Sequence, residues 1–134
     1  MAKILIIEDN DGVRKLLRRT LEQDGYQIEE AADGQSALKT FKKAPADVVI
    51  TDIFMPKKNG FETITELRKE SAGVKIIAIS GGGLIESESF LEMSKKLGAI
   101  FTLKKPFLPK DVQRLVRQLA GPNGNREENL KQTN

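Results

Sequence analysis

Five side chains that can do chemistry stand where apolar runs end. Glu8 and Asp9 follow Ile4-Leu5-Ile6-Ile7, Asp52 follows Val48-Val49-Ile50-Thr51, Ser80 follows Val74 to Ile79, and Lys105 comes just after Ile100 to Leu103. Short unbroken apolar runs suit strands buried on both faces, as in a parallel sheet covered by helices. The carboxyl ends of such strands open onto one edge, where open α/β sheets place their chemistry. Three carboxylates gathered there repel one another, and a half-buried Asp is costly without compensation. The set therefore calls for a cation. With oxygen ligands alone on offer, the ion is a hard one such as Mg²⁺, which keeps several waters. A carboxylate, a divalent ion, a lysine and a hydroxyl are the parts that hold a phosphoryl group, where the protein's work is positioning and charge neutralisation.

The elements that must position these groups alternate strand and helix. Glu8-Asp9-Asn10-Asp11 reads as an acidic loop, with Asn10 or Asp11 capping the helix that follows. In that helix Val13, Leu16, Leu17 and Leu21 recur at helical spacing and are expected inward. Arg14, Lys15, Arg18 and Arg19 fill the other face, read as solvated rather than as a nucleic-acid patch. Asp24-Gly25 stops the helix. Tyr26 to Ala31 is a shorter, more alternating strand, as an edge strand would be. Asp33-Gly34 opens a helix with Ala37, Leu38 and Phe41 inward. The central strand, Asp47 to Thr51, leads through Pro56 and Lys57-Lys58-Asn59-Gly60 to a helix with Phe61, Ile64 and Leu67 inward. Beyond Gly81-Gly82-Gly83, a helix over about Glu86 to Leu97 is expected to use Phe90, Met93 and Leu97 as its seam. The last helix starts near Pro109, a favourable first-turn position, with Val112, Leu115, Val116 and Leu119 at clean spacing. Five strands each followed by a helix give an α/β fold with a parallel sheet and right-handed crossovers.

Composition closes off other chemistries. The chain has 134 residues, 39% of them hydrophobic and 31% charged, which describes one globular domain. With no cysteine and no histidine, thiolate or imidazole metal sites, a cysteine nucleophile and His-based acid–base catalysis are all excluded. The net charge of +3 is mild. No apolar run approaches a membrane span, and Glu8-Asp9 cuts off the first one, so the default expectation is a cytoplasmic chain without a signal peptide.

Glu8-Asp9, Asp52 with Met55-Pro56 and Gly60, Ser80, and Lys105-Pro106-Phe107 stand in family-like order and spacing. Together they resemble the receiver (response-regulator) domain of two-component signalling, of the chemotaxis-regulator kind, over roughly Ala2 to Ala120. The resemblance implies a flavodoxin-like (βα)5 three-layer sandwich. It also implies strand order 2-1-3-4-5; receiver proteins are a standing example of that order, so it is taken from the family and not from the pattern. By the same resemblance Asp52 would accept a phosphoryl group from a sensor histidine kinase or phosphotransfer protein. Asp9 would bind Mg²⁺ directly, Glu8 mainly through water, and the Phe54 backbone carbonyl would complete the protein's share of the shell. Ser80 and Lys105 would hold the phosphoryl oxygens, and the Lys105-Pro106 bond would be cis. The acyl phosphate would later hydrolyse, making a self-phosphorylating and self-dephosphorylating switch rather than an enzyme with an external product. Output would be altered binding of a downstream protein, through the fourth and fifth helices and fifth strand, with no direct binding of membrane or nucleic acid.

Three departures from the family pattern stand out. Glu8 replaces the more usual Asp. Thr102 occupies the place of an inward-swinging aromatic, with Phe101 one residue earlier and pointing to the other face. Gly81, within Gly81-Gly82-Gly83, replaces a more usual Ala and leads us to expect an unusually mobile loop before the fourth helix, one that orders on activation. Two other readings compete. A phosphorylation-independent interaction module on the same fold is kept alive by Thr102. A flavodoxin-like FMN binder is disfavoured, because no aromatic pair sandwiches a ring and the Glu8-Asp9 pair would repel the phosphate. The receiver domain is placed at residues 1–120, and a disordered tail without an effector pattern at 121–134.

Overall fold

The structure, a computed structural model, describes residues 2–54, 59–81 and 86–121, with the backbone alone at residues 86–88 and 91. Met55-Pro56, the loop glycines Gly82 and Gly83, and the tail beyond Gly121 therefore lie outside the described residues.

The order is β1 (Lys3–Ile7), α1 (Asp11–Gln23), β2 (Gln27–Ala31), α2 (Gly34–Lys43), β3 (Val48–Asp52), α3 (Gly60–Glu70), β4 (Lys75–Ser80), α4 (Glu86–Leu97), β5 (Ala99–Lys104) and α5 (Pro109–Ala120). All four strand pairings are parallel, in the order β2-β1-β3-β4-β5. The expected flavodoxin-like sandwich is the observed fold, with β2 and β5 as its edges.

Each apolar strand is divided between two cores by the side-chain alternation of a pleated sheet. Leu5, Ile7, Val49, Ile76 and Ala78 face α2 and α3 and meet Ala37, Phe41, Ile64 and Leu67, with Phe90 and Leu97 of α4 at the margin. Ile4, Ile6, Val48, Ile50, Ile77 and Ile79 face α1 and α5 and meet Leu17, Leu21, Val112 and Val116. Burial on both faces leaves no solvent side, which is why β1 and β3 read as continuous apolar runs rather than alternating ones. Phe101 and Leu103 join the α1/α5 core, so Thr102 belongs to the opposite face, as alternation required.

The helix starts follow local chemistry. Asn10, not Asp11, caps α1 by accepting the Val13 amide at 2.9 Å. Asp33 caps α2 and Asn59 caps α3 in the same way.

Three expectations from spacing are corrected. Leu16 is 45% exposed, because the buried stripe of α1 runs through Leu17, Thr20 and Leu21 and leaves Leu16 at its flank. Met93 is likewise 45% exposed; the inward stripe of α4 is Phe90, Ser94 and Leu97. Ser94 tolerates full burial because its hydroxyl donates to the Phe90 carbonyl at 2.9 Å. The basic face of α1 is also not uniformly solvated: Arg14 and Arg18 are half-buried and pair with Glu30 of β2, while Lys15 and Arg19 are exposed.

Gly60 seats α3 against the end of β3. A Cβ there would stand 2.5 Å from Ile53 Cα and 2.6 Å from the Asp52 carbonyl oxygen, both backbone atoms that cannot swing aside. The Gly60 amide donates to the Ile53 carbonyl at 2.8 Å in the same contact. Gly60→Ala is therefore expected to lower unfolding free energy by about 1–3 kcal/mol in urea titrations, as overpacking does. An unchanged midpoint would mean that the close seat is not required.

Candidate functional site

Parallel pairing brings the carboxyl ends of β1, β3, β4 and β5 to one edge, and with them the chemically capable side chains. Glu8 follows β1 directly and is 1% exposed; Asp52, the last residue of β3, is 3% exposed; Asp9 is exposed. One carboxylate oxygen from each of the three lies within 4.8 Å of the others. Lys105 Nζ approaches both buried carboxylates, at 2.7 Å from Glu8 Oε1 and 2.9 Å from Asp52 Oδ2. Ser80 is buried at the end of β4, one position beyond Ile79, the register partner of Asp52. Its carbonyl accepts the Lys105 amide at 2.9 Å, which ties the lysine's backbone to β4. The Lys105-Pro106 peptide bond is cis.

The backbone supports the acids. The Phe54 amide donates to Asp52 Oδ1 at 3.0 Å, and the Asn10 amide donates to Glu8 Oε2 at 3.1 Å. The Phe54 ring is half exposed and stands edge-on to Phe90 of α4, with centroids 4.7 Å apart and planes at 87°. Phe90 in turn lies 5.8 Å from Phe61 of α3. Gly81 is exposed with open space where a Cβ would go, and Thr102 is half-buried opposite Ala78.

The electrostatics are uneven. Burial pushes the Glu8 carboxyl up to about 7; Lys105 opposes that shift and the neighbouring Asp52 charge adds to it. Burial alone would lower Lys105, but Glu8 and Asp52 outweigh it and hold the ammonium above the ordinary lysine value. Lys105 meets Glu8 Oε1 as an ion pair at 2.7 Å. That buried oxygen has no hydrogen-bond partner among the described residues. An all-oxygen, charge-rich pocket with an orphaned carboxylate oxygen fits a hard divalent cation held by Glu8, Asp9 and Asp52.

The structure thus gathers Glu8, Asp9, Asp52 and Lys105, with Ser80 and Phe54 on the adjoining backbone. Two participants escaped the sequence reading. From sequence Phe54 offers only a backbone carbonyl, whereas its amide holds Asp52 and its ring reaches α4. Helical spacing alone leaves Arg14 to solvent, whereas its Nη1 donates to the Glu8 carbonyl at 2.8 Å. The three-residue spacing from Asp11 to Arg14 signals a helical ion pair, but Glu30's share requires knowing that β2 lies beside β1.

The raised Glu8 value fixes a sign. A carboxyl in the unfolded chain titrates near about 4.3. Between that pH and about 7 the folded state keeps a proton that the unfolded chain has lost, so stability falls as pH rises through this window and stays low above it. Glu8→Gln removes the buried charge. Without divalent ions at about pH 8, the variant is expected to be more stable than the parent by about 1–3 kcal/mol, several degrees in melting temperature. The gap should narrow toward about pH 5. A less stable variant at the higher pH would mean that Lys105 compensates Glu8 fully.

The response regulator receiver domain model matches residues 4–117. The probable transcriptional regulator ycf27 of Cyanophora paradoxa is 36% identical over 117 residues, covering 87% of this chain and 47% of that protein. The alkaline phosphatase synthesis transcriptional regulatory protein PhoP of Bacillus subtilis (strain 168) is 30% identical over 118 residues, covering 87% of this chain and 48% of that protein. The chain thus spans about half the length of these regulators. Among solved structures, the chemotaxis response regulator CheY4 of Vibrio cholerae superposes with a TM-score of 0.80 at 31% identity, covering 89% of this chain and 98% of that one. Fold, edge chemistry and relatives agree: the chain belongs to the response regulator receiver domain family of two-component systems, whose general function is that of a phosphorylation switch.

Proposed function

We propose that this chain is the phosphoacceptor of a two-component phosphorelay, with Asp52 as the residue that carries the phosphoryl group. The observation that supports it most is the convergence at one sheet edge of Glu8, Asp9 and Asp52, with carboxylate oxygens within 4.8 Å of one another, and of Lys105, which pairs with Glu8 and Asp52. Glu8, Asp9 and Asp52, with the Phe54 backbone carbonyl, are the residues that would hold Mg²⁺. Mg²⁺ supplies charge neutralisation for the acids and for the incoming phosphoryl oxygens.

The chain's own residues do the rest. One Asp52 carboxylate oxygen forms a bond to phosphorus as the donor's N–P bond breaks. The electron pair of that bond returns to the imidazole of a histidine on a sensor kinase or phosphotransfer protein. The Phe54 amide and Lys105 hold the carboxylate in place before the reaction. Lys105 then turns its charge to the phosphoryl oxygens, and the Ser80 hydroxyl donates to them. Attack of water on phosphorus releases inorganic phosphate and restores the Asp52 carboxylate.

The change reaches α4 through Phe54 rather than through Thr102, which has no ring to swing. Phe54 is bonded to Asp52 through its amide and packed on Phe90 through its ring. A downstream protein partner reading the α4, β5 and α5 surface completes the switch, and the compartment is the cytoplasm. Among the described residues no helix is long and apolar enough to cross a membrane.

Intact mass after incubation with acetyl phosphate tests the proposal. A gain of about 80 Da that requires Mg²⁺ and disappears in Asp52→Asn is expected. On the same sample, amide exchange around Phe90 should slow, and should not slow in Phe54→Ala. No mass gain under any condition would favour the phosphorylation-independent module instead.

A further inference from the structure

Arg14 is committed on three sides. Its Nη1 donates to the Glu8 carbonyl at 2.8 Å, its Nε to Glu30 Oε1 at 2.9 Å and its Nη2 to Asp11 Oδ1 at 2.5 Å. Its side chain is 15% exposed, low for a helix-surface arginine. Glu30, on β2, also takes Arg18, which reaches on to Glu22 at 3.1 Å. The hydrogen bonds from Arg18 and Arg14 hold the Glu30 carboxyl below its usual range, so the anchor stays charged. The result is a brace from β2 through α1 to the acid loop.

The carbonyl that Arg14 holds belongs to the peptide unit joining Glu8 to Asp9. A peptide unit is planar, so fixing its oxygen fixes the direction in which the next residue departs. Glu8 has other supports: its amide donates to the Ala31 carbonyl at 3.0 Å, and its side chain meets Asn10 and Lys105. Asp9 has no such help, since its exposed carboxylate makes no hydrogen bond or ion pair among the described residues. Its aim toward Glu8 and Asp52 depends on the backbone that carries it.

We propose that Arg14 is a positioning residue for the cation site, holding the Glu8–Asp9 peptide so that the Asp9 carboxylate faces Glu8 and Asp52. This inference rests on the reading of the acid pocket as a Mg²⁺ site.

Two effects of Arg14 on a divalent ion have opposite signs, which makes the role testable. As a nearby cation it repels the ion, so deleting it would tighten binding. As a brace it orients ligands, and losing a partner of that kind typically weakens metal affinity by about 10–100-fold. Glu30 and Asp11 already neutralise the guanidinium, which leaves the orienting effect dominant.

Mg²⁺ titrated calorimetrically into the full chain, for wild type, Arg14→Met, Arg14→Lys and Arg18→Met, separates these effects. Arg18→Met loosens α1 from the same Glu30 without touching Glu8, so it reports general loosening alone. Arg14→Met is expected to weaken Mg²⁺ by about tenfold or more, with Arg18→Met within about twofold of wild type. Arg14→Lys should fall between, because an ammonium keeps the charge but not the three-way fork. It also carries the test if the methionine variant does not fold. In metal-free protein the Asp9 amide resonance should move in Arg14→Met and stay in Arg18→Met. Unchanged or tighter binding in Arg14→Met, or equal losses in both methionine variants, would overturn the role. Absence of Mg²⁺ binding by the wild type would overturn the cation site itself and Arg14's role with it, a failure separate from any seen only in the variants.

Discussion

One ammonium group lies between two buried carboxylates, and the working edge of the molecule depends on that imbalance. Lys105 Nζ serves both Glu8 and Asp52, while Asp9 stands close enough to share an ion with them. A buried carboxylate without adequate compensation raises the energy of the folded state. Lys105 forms a hydrogen bond with Asp52 and an ion pair with Glu8, so a single ammonium is shared between two buried carboxylates. The pocket is therefore stored repulsion, relieved by a proton on Glu8 or by a hard cation. A site arranged in this way can couple metal binding, charge and phosphoryl capture without any elaborate catalytic group.

The fold exists to make that imbalance tolerable. Parallel strands deliver four chain segments to one edge, and cores on both faces of the sheet hold them in register. Backbone amides of Asn10 and Phe54 steady the two buried acids. The Gly60 contact locks the turn after Asp52 to α3, and the Phe54 ring carries the same turn to α4. Events at Asp52 thus have a packed route to a helix surface, although Thr102 offers no aromatic to move.

Much of this was legible in the residues. Apolar runs ending in Glu8-Asp9, Asp52, Ser80 and Lys105 disclosed both the parallel sheet and the edge where they meet, because burial on both faces erases alternation in β1 and β3. Helical spacing was less decisive at the flanks of a stripe. Leu16 and Met93 each lie one step beside the true inward positions, and Thr20 and Ser94, polar by type, are buried instead. The Ser94 hydroxyl, satisfied on its own helix by the Phe90 carbonyl, stands in for an apolar side chain, and hydropathy cannot register that. Arg14 and Phe54 were illegible for another reason: their partners, Glu30 and Phe90, are set by strand order and helix packing, which no local spacing encodes.

The claim that Glu8 carries an undercompensated charge which a proton and a cation compete to relieve has a direct test. Mg²⁺ binding is measured by calorimetry at about pH 7 in two buffers of different ionisation heat, which counts the protons released per ion bound. With Glu8 titrating at about 7, roughly half a proton should leave per ion, and the release should vanish in Glu8→Gln. Binding heats that are identical in the two buffers would contradict the account, because Glu8 would then be fully ionised already and Lys105 would suffice.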